Sequence, residues 1–235
     1  MLELNEEEKL ISDKSHRWLQ ANQSKLLQTF ADRSVYVPDR FPISLFMAGS
    51  PGAGKTEISK RLATRFTQQP IRIDADEIRL ICPGYTGKNA QVFQSTANKG
   101  VNILYDYALK QRINLILDGT FAYKNSHDNI QRSLDKGRKV EIFYVYQDLL
   151  QAWDLTKKRE ILEGRRVPKE VFIYSFFQSL ENVKKAKVNF GKSIMLNLVI
   201  KDLKLDVDQI ELDIQNIDDF LVSSYTQDDL ELQLL

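Results

Sequence analysis

The sequence predicts an α/β fold built on a five-stranded, mainly parallel, doubly wound sheet with flanking helices and a helical lid. Two observations predict it. Five short runs rich in β-branched and aromatic residues (Ile43 to Ala48, Ile71 to Ile73, Ile113 to Leu117, Val140 to Tyr146, Met195 to Ile200) alternate with longer segments of helical spacing. Strands joined through helical crossovers run parallel. The second observation is the near-continuous apolar character of runs such as Leu115-Ile116-Leu117, which suits strands covered on both faces.

Taken in order, the chain opens with one or two amphipathic helices from Glu3 to about Phe30, carrying Leu10, Ile11, Trp18, Leu19, Leu26, Leu27 and Phe30 at helical intervals. This N-terminal segment, 1–40, is expected to pack on the flank of the core. The main domain is expected over 41–205. Its helices are placed at Glu57 to Phe66, Ala90 to Gln111, Asn125 to Lys136, Leu149 to Leu162 and Lys169 to Lys187. The acidic tail 206–235, with scattered leucines, reads as a peripheral helix or a partly frayed end of the same domain. A chain of 235 residues fits one such domain.

A formal net charge of +1 excludes the broad basic field that captures long nucleic acids and points to a small-molecule partner. The single cysteine, Cys82, forms no internal disulfide, which suits a reducing compartment. The N-terminus lacks the cationic start and apolar run of a secretory signal, and no stretch approaches the roughly 18–20 apolar residues of a membrane span. The expectation is a cytoplasmic protein with no membrane partner.

Gly49-Ser50-Pro51-Gly52-Ala53-Gly54-Lys55-Thr56 satisfies G-x-x-x-x-G-K-[ST], directly after one predicted strand and at the mouth of a helix, so the expected fold is that of a P-loop NTPase. Glycines let the backbone wrap phosphate oxygens, and the exposed N–H groups with the positive helix end favour an anion there. Lys55 is expected to reach the β and γ phosphates of ATP, and Thr56 to offer its hydroxyl to Mg²⁺.

In open α/β sheets, ligands bind beyond the carboxyl ends of the strands. The second strand ends in Ile73-Asp74-Ala75-Asp76 and the third in Leu117-Asp118-Gly119-Thr120. Asp118 resembles an acid that holds Mg²⁺ directly or through water. Gly119 stands where hydrolytic motors carry a glutamate, which favours transfer to a bound acceptor over hydrolysis. Asp76 is either the base that orients an acceptor hydroxyl or the N-cap of the next helix. Asp74 is placed in support of it. The segment Lys157 to Pro168 carries five cations around a break at Gly164 and Pro168, and reads either as a lid over about 155–170 or as a solvated helix face. His16 and His127 show no metal-ligand spacing. The stripe Trp153, Phe172, Tyr174, Phe176 and Phe177 reads as core packing.

These blocks together resemble the zeta-toxin family of bacterial P-loop kinases, which phosphorylate the sugar of UDP-N-acetylglucosamine. The phosphate loop is followed by Ile73-Asp74-Ala75-Asp76-Glu77-Ile78-Arg79 with Pro83, similar to the family's I-D-x-D-x-[FI]-R and later proline. Asp118-Gly119-Thr120 is similar to its acid-glycine-threonine, although the best-known members carry glutamate at the first position. Arg159 and Arg165-Arg166-Val167-Pro168-Lys169 look like its two lid arginines ahead of a proline, over about Pro42 to Val183 in all.

The resemblance implies that Asp76 is the base for a sugar hydroxyl, and that Lys55, Arg159 and Arg165 act on the phosphates. It implies that Asp74, Arg79, Asp118 and Thr120 bind substrate, with Asp118 and Thr56 at the metal. The six positions from Arg159 to Arg165 are fewer than the family's interval, so Arg165 and Arg166 stand as alternatives for the second lid arginine. The implied partners are a nucleotide-sugar and a small antitoxin protein. Rival readings are a kinase for another small metabolite or a polynucleotide 5′-hydroxyl, and a nucleotide-dependent switch module.

Overall fold

The computed structural model describes residues 4–204, 206–221 and 225–234. Glu3, where the first helical segment was expected to begin, and parts of the tail fall outside that range. The first helix, α1 (Glu6–Ala21), starts where Asn5 accepts from the Glu8 amide and Glu8 returns the bond to the Asn5 amide, a reciprocal cap. It is followed by α2 (Gln23–Phe30). Leu19 and Leu26 lie fully buried in one cluster with Ala97 and Leu104 of α5 (Gln94–Gln111), so the N-terminal helices are built into the core.

The sheet comprises β1 (Ile43–Ala48), β2 (Ile71–Asp74), β3 (Leu115–Asp118), β4 (Lys139–Tyr146), β5 (Ile194–Lys201) and β6 (Val207–Glu211), in the order β2-β3-β1-β4-β5-β6. The first five run parallel, as their spacing predicts. The expected count of five is corrected to six: β6 pairs antiparallel with β5 in the segment read as helix or frayed end. Its sequence, VDQIE, is mostly exposed and too short and polar to announce a strand. The tail also supplies α9 (Gln227–Gln233), whose Leu230 buries against Trp153 and Phe172.

Between the strands run α3 (Lys55–Ala63), α4 (Ala75–Leu80), α6 (Ser126–Leu134), α7 (Leu149–Glu163) and α8 (Lys169–Phe190). Phe46, Ile73 and Leu115 are fully buried on one face of the sheet, in one cluster with Leu104 of α5, and Leu45, Met47, Ile116 and Val145 belong to the cluster on the other. Both faces are therefore covered, and the open region left for a ligand is the carboxyl edge of the strands. Of the aromatic stripe, Trp153, Phe172 and Phe176 are core, whereas Tyr174 is 59% exposed and is corrected to surface. Among the described residues no helix is long and apolar enough to cross a membrane.

Candidate active site

At the end of β1 the chain turns back over itself as Gly49 to Gly54 and enters α3 at Lys55. The turn is held by its neighbours. The Gly49 amide donates to the Ser179 hydroxyl of α8 at 2.8 Å and to the Thr120 carbonyl at 3.3 Å. Gly52 has φ +77°, and a Cβ there would drive into the Ala152 carbonyl oxygen of α7. The loop thus packs backbone against backbone, close to the start of the lid helix.

Lys55 is buried at the head of α3, and its Nζ donates to the Ser50 carbonyl at 2.6 Å. Burial pushes its pKa down to about 8; Asp118 and Asp74 pull it up, while Arg165 and Arg159 push it further down. Groups from two strand ends and from the lid therefore act on one ammonium. Thr56 follows, half-buried in the first turn.

Asp74 and Asp118 are register partners on β2 and β3. Arg72 of β2 bridges them, its Nη1 lying 2.9 Å from Asp118 Oδ2 and 3.2 Å from Asp74 Oδ2, while Nη2 pairs with Glu77. Ser59 of α3 donates to Asp118 Oδ2 at 2.7 Å. Burial and the charges of Asp76 and Asp118 push the Asp74 carboxyl up. Among the described residues the contacts of Asp118 all use Oδ2, and a carboxylate oxygen and a threonine hydroxyl are the hard donors that Mg²⁺ takes.

The question of which aspartate caps α4 is settled by geometry. Asp74 Oδ1 accepts from the Asp76 amide at 2.8 Å, leaving the Asp76 side chain to other partners. Those partners are arginines. Asp76 Oδ1 pairs with Arg79; Oδ2 pairs with Arg165, 89 positions away, and lies 3.5 Å from Arg159 Nη2. Arg159 is also held by Glu163 of its own helix at 2.7 Å. The segment read as lid or solvated face thus reaches across the site.

Of the sequence-predicted residues, Lys55, Asp74, Asp76, Asp118, Arg159 and Arg165 converge. Arg166 is exposed and not among the partners of Asp76. Arg79 is buried beneath Asp76 and shares its guanidinium with Gln94, which places it behind the acid. Thr120 uses its carbonyl on the phosphate loop, and its hydroxyl accepts from the Ala122 amide at 3.3 Å. The loop Tyr85 to Ala90 is stapled by Asn89, which accepts from the Thr86 amide at 2.9 Å and donates to the Gly84 carbonyl at 2.8 Å.

Arg72, Ser59 and Ser179 were not legible as site residues. A cation inside an apolar strand was the available signal for Arg72; the serines carried none. A groove of about 770 Å³ is lined by Arg72 and Glu77 together with Phe30, Tyr36 and Phe66, and its lining does not include the phosphate loop.

A mainly parallel sheet of this order, with a glycine-rich phosphate loop between β1 and α3, acids closing β2 and β3, and two arginines of the 159–165 segment contacting Asp76, is the arrangement of a P-loop kinase. The chain belongs to the zeta toxin family, whose sequence model matches residues 27–208. Among solved structures it is similar to one from a characterization of the PezAT chromosomal toxin-antitoxin system of Streptococcus pneumoniae (17% identity, TM-score 0.59, covering 99% of this chain and 89% of that one). It is also similar to the AvrRxo1-ORF1:AvrRxo1-ORF2 complex, with sulphate ions (16%, TM-score 0.64, 89% and 71% covered) and with ATP (16%, TM-score 0.62, 94% and 71%). At these identities the likeness is one of fold. A comparison with curated proteins returns no match.

Proposed function

We propose that this protein transfers the γ-phosphoryl of ATP to a hydroxyl of a nucleotide-sugar, UDP-N-acetylglucosamine being the leading candidate, and acts as a toxin. The observation that carries the reading is Asp76: a carboxylate gripped by two arginines of the lid, with those same arginines acting on the buried lysine of the phosphate loop.

The phosphate loop and Lys55 hold the triphosphate. Its oxygens draw Arg159 and Arg165 away from Asp76 to the transferring group, where guanidinium charge is most useful. The acceptor oxygen attacks the γ-phosphorus, its proton passes to the freed Asp76 carboxylate, the bond to the β-phosphate oxygen breaks and ADP leaves. Mg²⁺, held by Thr56 and Asp118, would neutralise the phosphates. A small antitoxin is the proposed protein partner, since PezAT is a toxin-antitoxin system, and a cytoplasmic site of action follows from the substrate.

Incubation with MgATP and a panel of UDP-sugars, read by mass spectrometry, is expected to add one phosphoryl group to a UDP-sugar. Absence of product with every UDP-sugar while ATP binds would overturn the substrate. Labelling of an oligonucleotide 5′ end would transfer the reading to polynucleotides, against which the net charge of +1 argues.

A further inference from the structure

The positional rule that selects Asp74 and Asp118, polar residues closing parallel strands, applies equally to Lys201, the last residue of β5. Its side chain is only 4% exposed and its ammonium lies 2.9 Å from Glu57 Oε2, on a side chain that is 58% exposed. The ammonium also lies against the phosphate loop: a Cβ at Gly54, where φ is +85°, would sit 2.8 Å from Lys201 Nζ.

This is an unfavourable place for a cation on its own. Burying an ammonium is costly, and a solvent-exposed carboxylate returns little of that cost. The first turn of α3, where Glu57 sits, is moreover the positive end of a helix, which repels cations. With Lys55, two buried ammonium groups flank one helix N-terminus. A polyphosphate is the chemistry that relieves all three positive sources together.

We infer that Lys201 is a second cation of the phosphate loop, binding the part of the nucleotide's phosphate chain that is retained in ADP. The sheet order supports the assignment to the retained phosphates. Asp76 and Asp118 approach β1 from the β2 and β3 side, whereas Lys201 arrives on β5 from the other side, away from the acceptor. Lys201 therefore grips the nucleotide and leaves the moving phosphoryl to Lys55 and the lid. The inference rests on nucleotide binding at this loop, as proposed above, and not on the identity of the acceptor.

The test is binding of a fluorescent ADP analogue, with ATP and adenosine as competitors, to the wild-type chain, Lys201→Met and Glu57→Gln, each checked for folding by thermal melting. Wild-type binding establishes the nucleotide site independently. Lys201→Met is expected to weaken ADP and ATP by the same factor, roughly tenfold to a hundredfold, the scale of a lost charged hydrogen bond, and to leave adenosine unchanged. Glu57→Gln, which frees the ammonium from its competitor, is expected to leave ADP affinity unchanged or tighten it.

If Lys201 is only a brace for Glu57, both variants weaken ADP alike, and that result overturns the inference. Unchanged ADP affinity in Lys201→Met does so as well. Should Lys201→Met not fold, Glu57→Gln decides alone: weaker binding rejects the inference and unchanged or tighter binding supports it.

Discussion

The phosphate loop and the Asp76 cluster both lie at the carboxyl ends of the parallel strands, yet they are built on opposite principles. In the loop every contact has a backbone group on at least one side: the Gly49 amide on the Thr120 carbonyl and the Ser179 hydroxyl, Gly52 pressed on the Ala152 carbonyl, and a buried lysine anchored on the Ser50 carbonyl. The cluster is side chain held by side chain, an aspartate shared among Arg79, Arg159 and Arg165, partly open to solvent. A backbone cradle binds any phosphate chain and is hard to alter without breaking. A cluster of charges can exchange partners, which is what a step that moves charge requires. In the proposed reaction, nucleotide capture and chemistry fall to separate materials.

Substitutions in the two regions are therefore expected to separate binding from turnover. The largest effect is expected from Asp76→Asn, which keeps the shape of the acid but not its basicity. Turnover should fall by about 10²–10⁴-fold while ATP affinity, measured by titration calorimetry, holds or tightens because the lid arginines are released. A parallel loss of ATP affinity would break the comparison.

Arg165→Ala should follow, with turnover reduced by about 10²–10³-fold, while Arg166→Ala, at an exposed position, changes it less than about threefold. Steady-state rates of the two variants decide which lid arginine acts. Gly52→Ala attacks the other region. The Ala152 carbonyl must shift to admit the methyl group, and the φ of +77° is unfavourable for alanine. ATP affinity is expected to drop roughly tenfold to a hundredfold, from a strain of 1–3 kcal/mol.

Lys55 provides a pH handle on the loop. With its pKa lowered to about 8, the ammonium loses its proton above that pH unless a phosphate restores it, so ATP affinity should fall by up to about tenfold per pH unit above 8. The stability of the nucleotide-free protein moves the other way. A folded-state pKa below the ordinary lysine value of 10.5 means the unfolded chain binds more protons between about 8 and 10.5, so this lysine's contribution favours folding as pH rises through that window. Affinity and thermal-melting profiles over pH 7–10 check both signs. The smallest effect belongs to Gly119→Ala, where an added Cβ meets nothing within 4 Å and stability should change by less than about 0.5 kcal/mol.

The parallel sheet and the phosphate loop were legible because their signals are local: apolar runs of strand length, and eight consecutive residues whose glycines, lysine and threonine each have a stated task. Asp74 and Asp118 were legible through the rule about strand ends. Lys201 also closes a strand, but a lysine at a strand end reads equally as solvated surface, and only its burial against the loop marks it. The strand β6 was illegible for a different reason. Its residues are polar and exposed, and what makes them a strand is the open edge of β5.

The sequence by itself determined the order of the five parallel strands and the main helices between them, the cradle and the identity of the charged residues, since these rest on periodicity and on chemistry carried within a few positions. Only the tertiary structure decided which carboxylate caps α4 and which is shared by arginines, which of two adjacent lid arginines reaches across, and that a lysine from β5 lies on the phosphate loop. The reason is distance along the chain. Ionic contacts between residues as far apart as Asp76 and Arg165, 89 positions, or Glu57 and Lys201, 144 positions, depend on how the strands are ordered in space, and no local pattern encodes that.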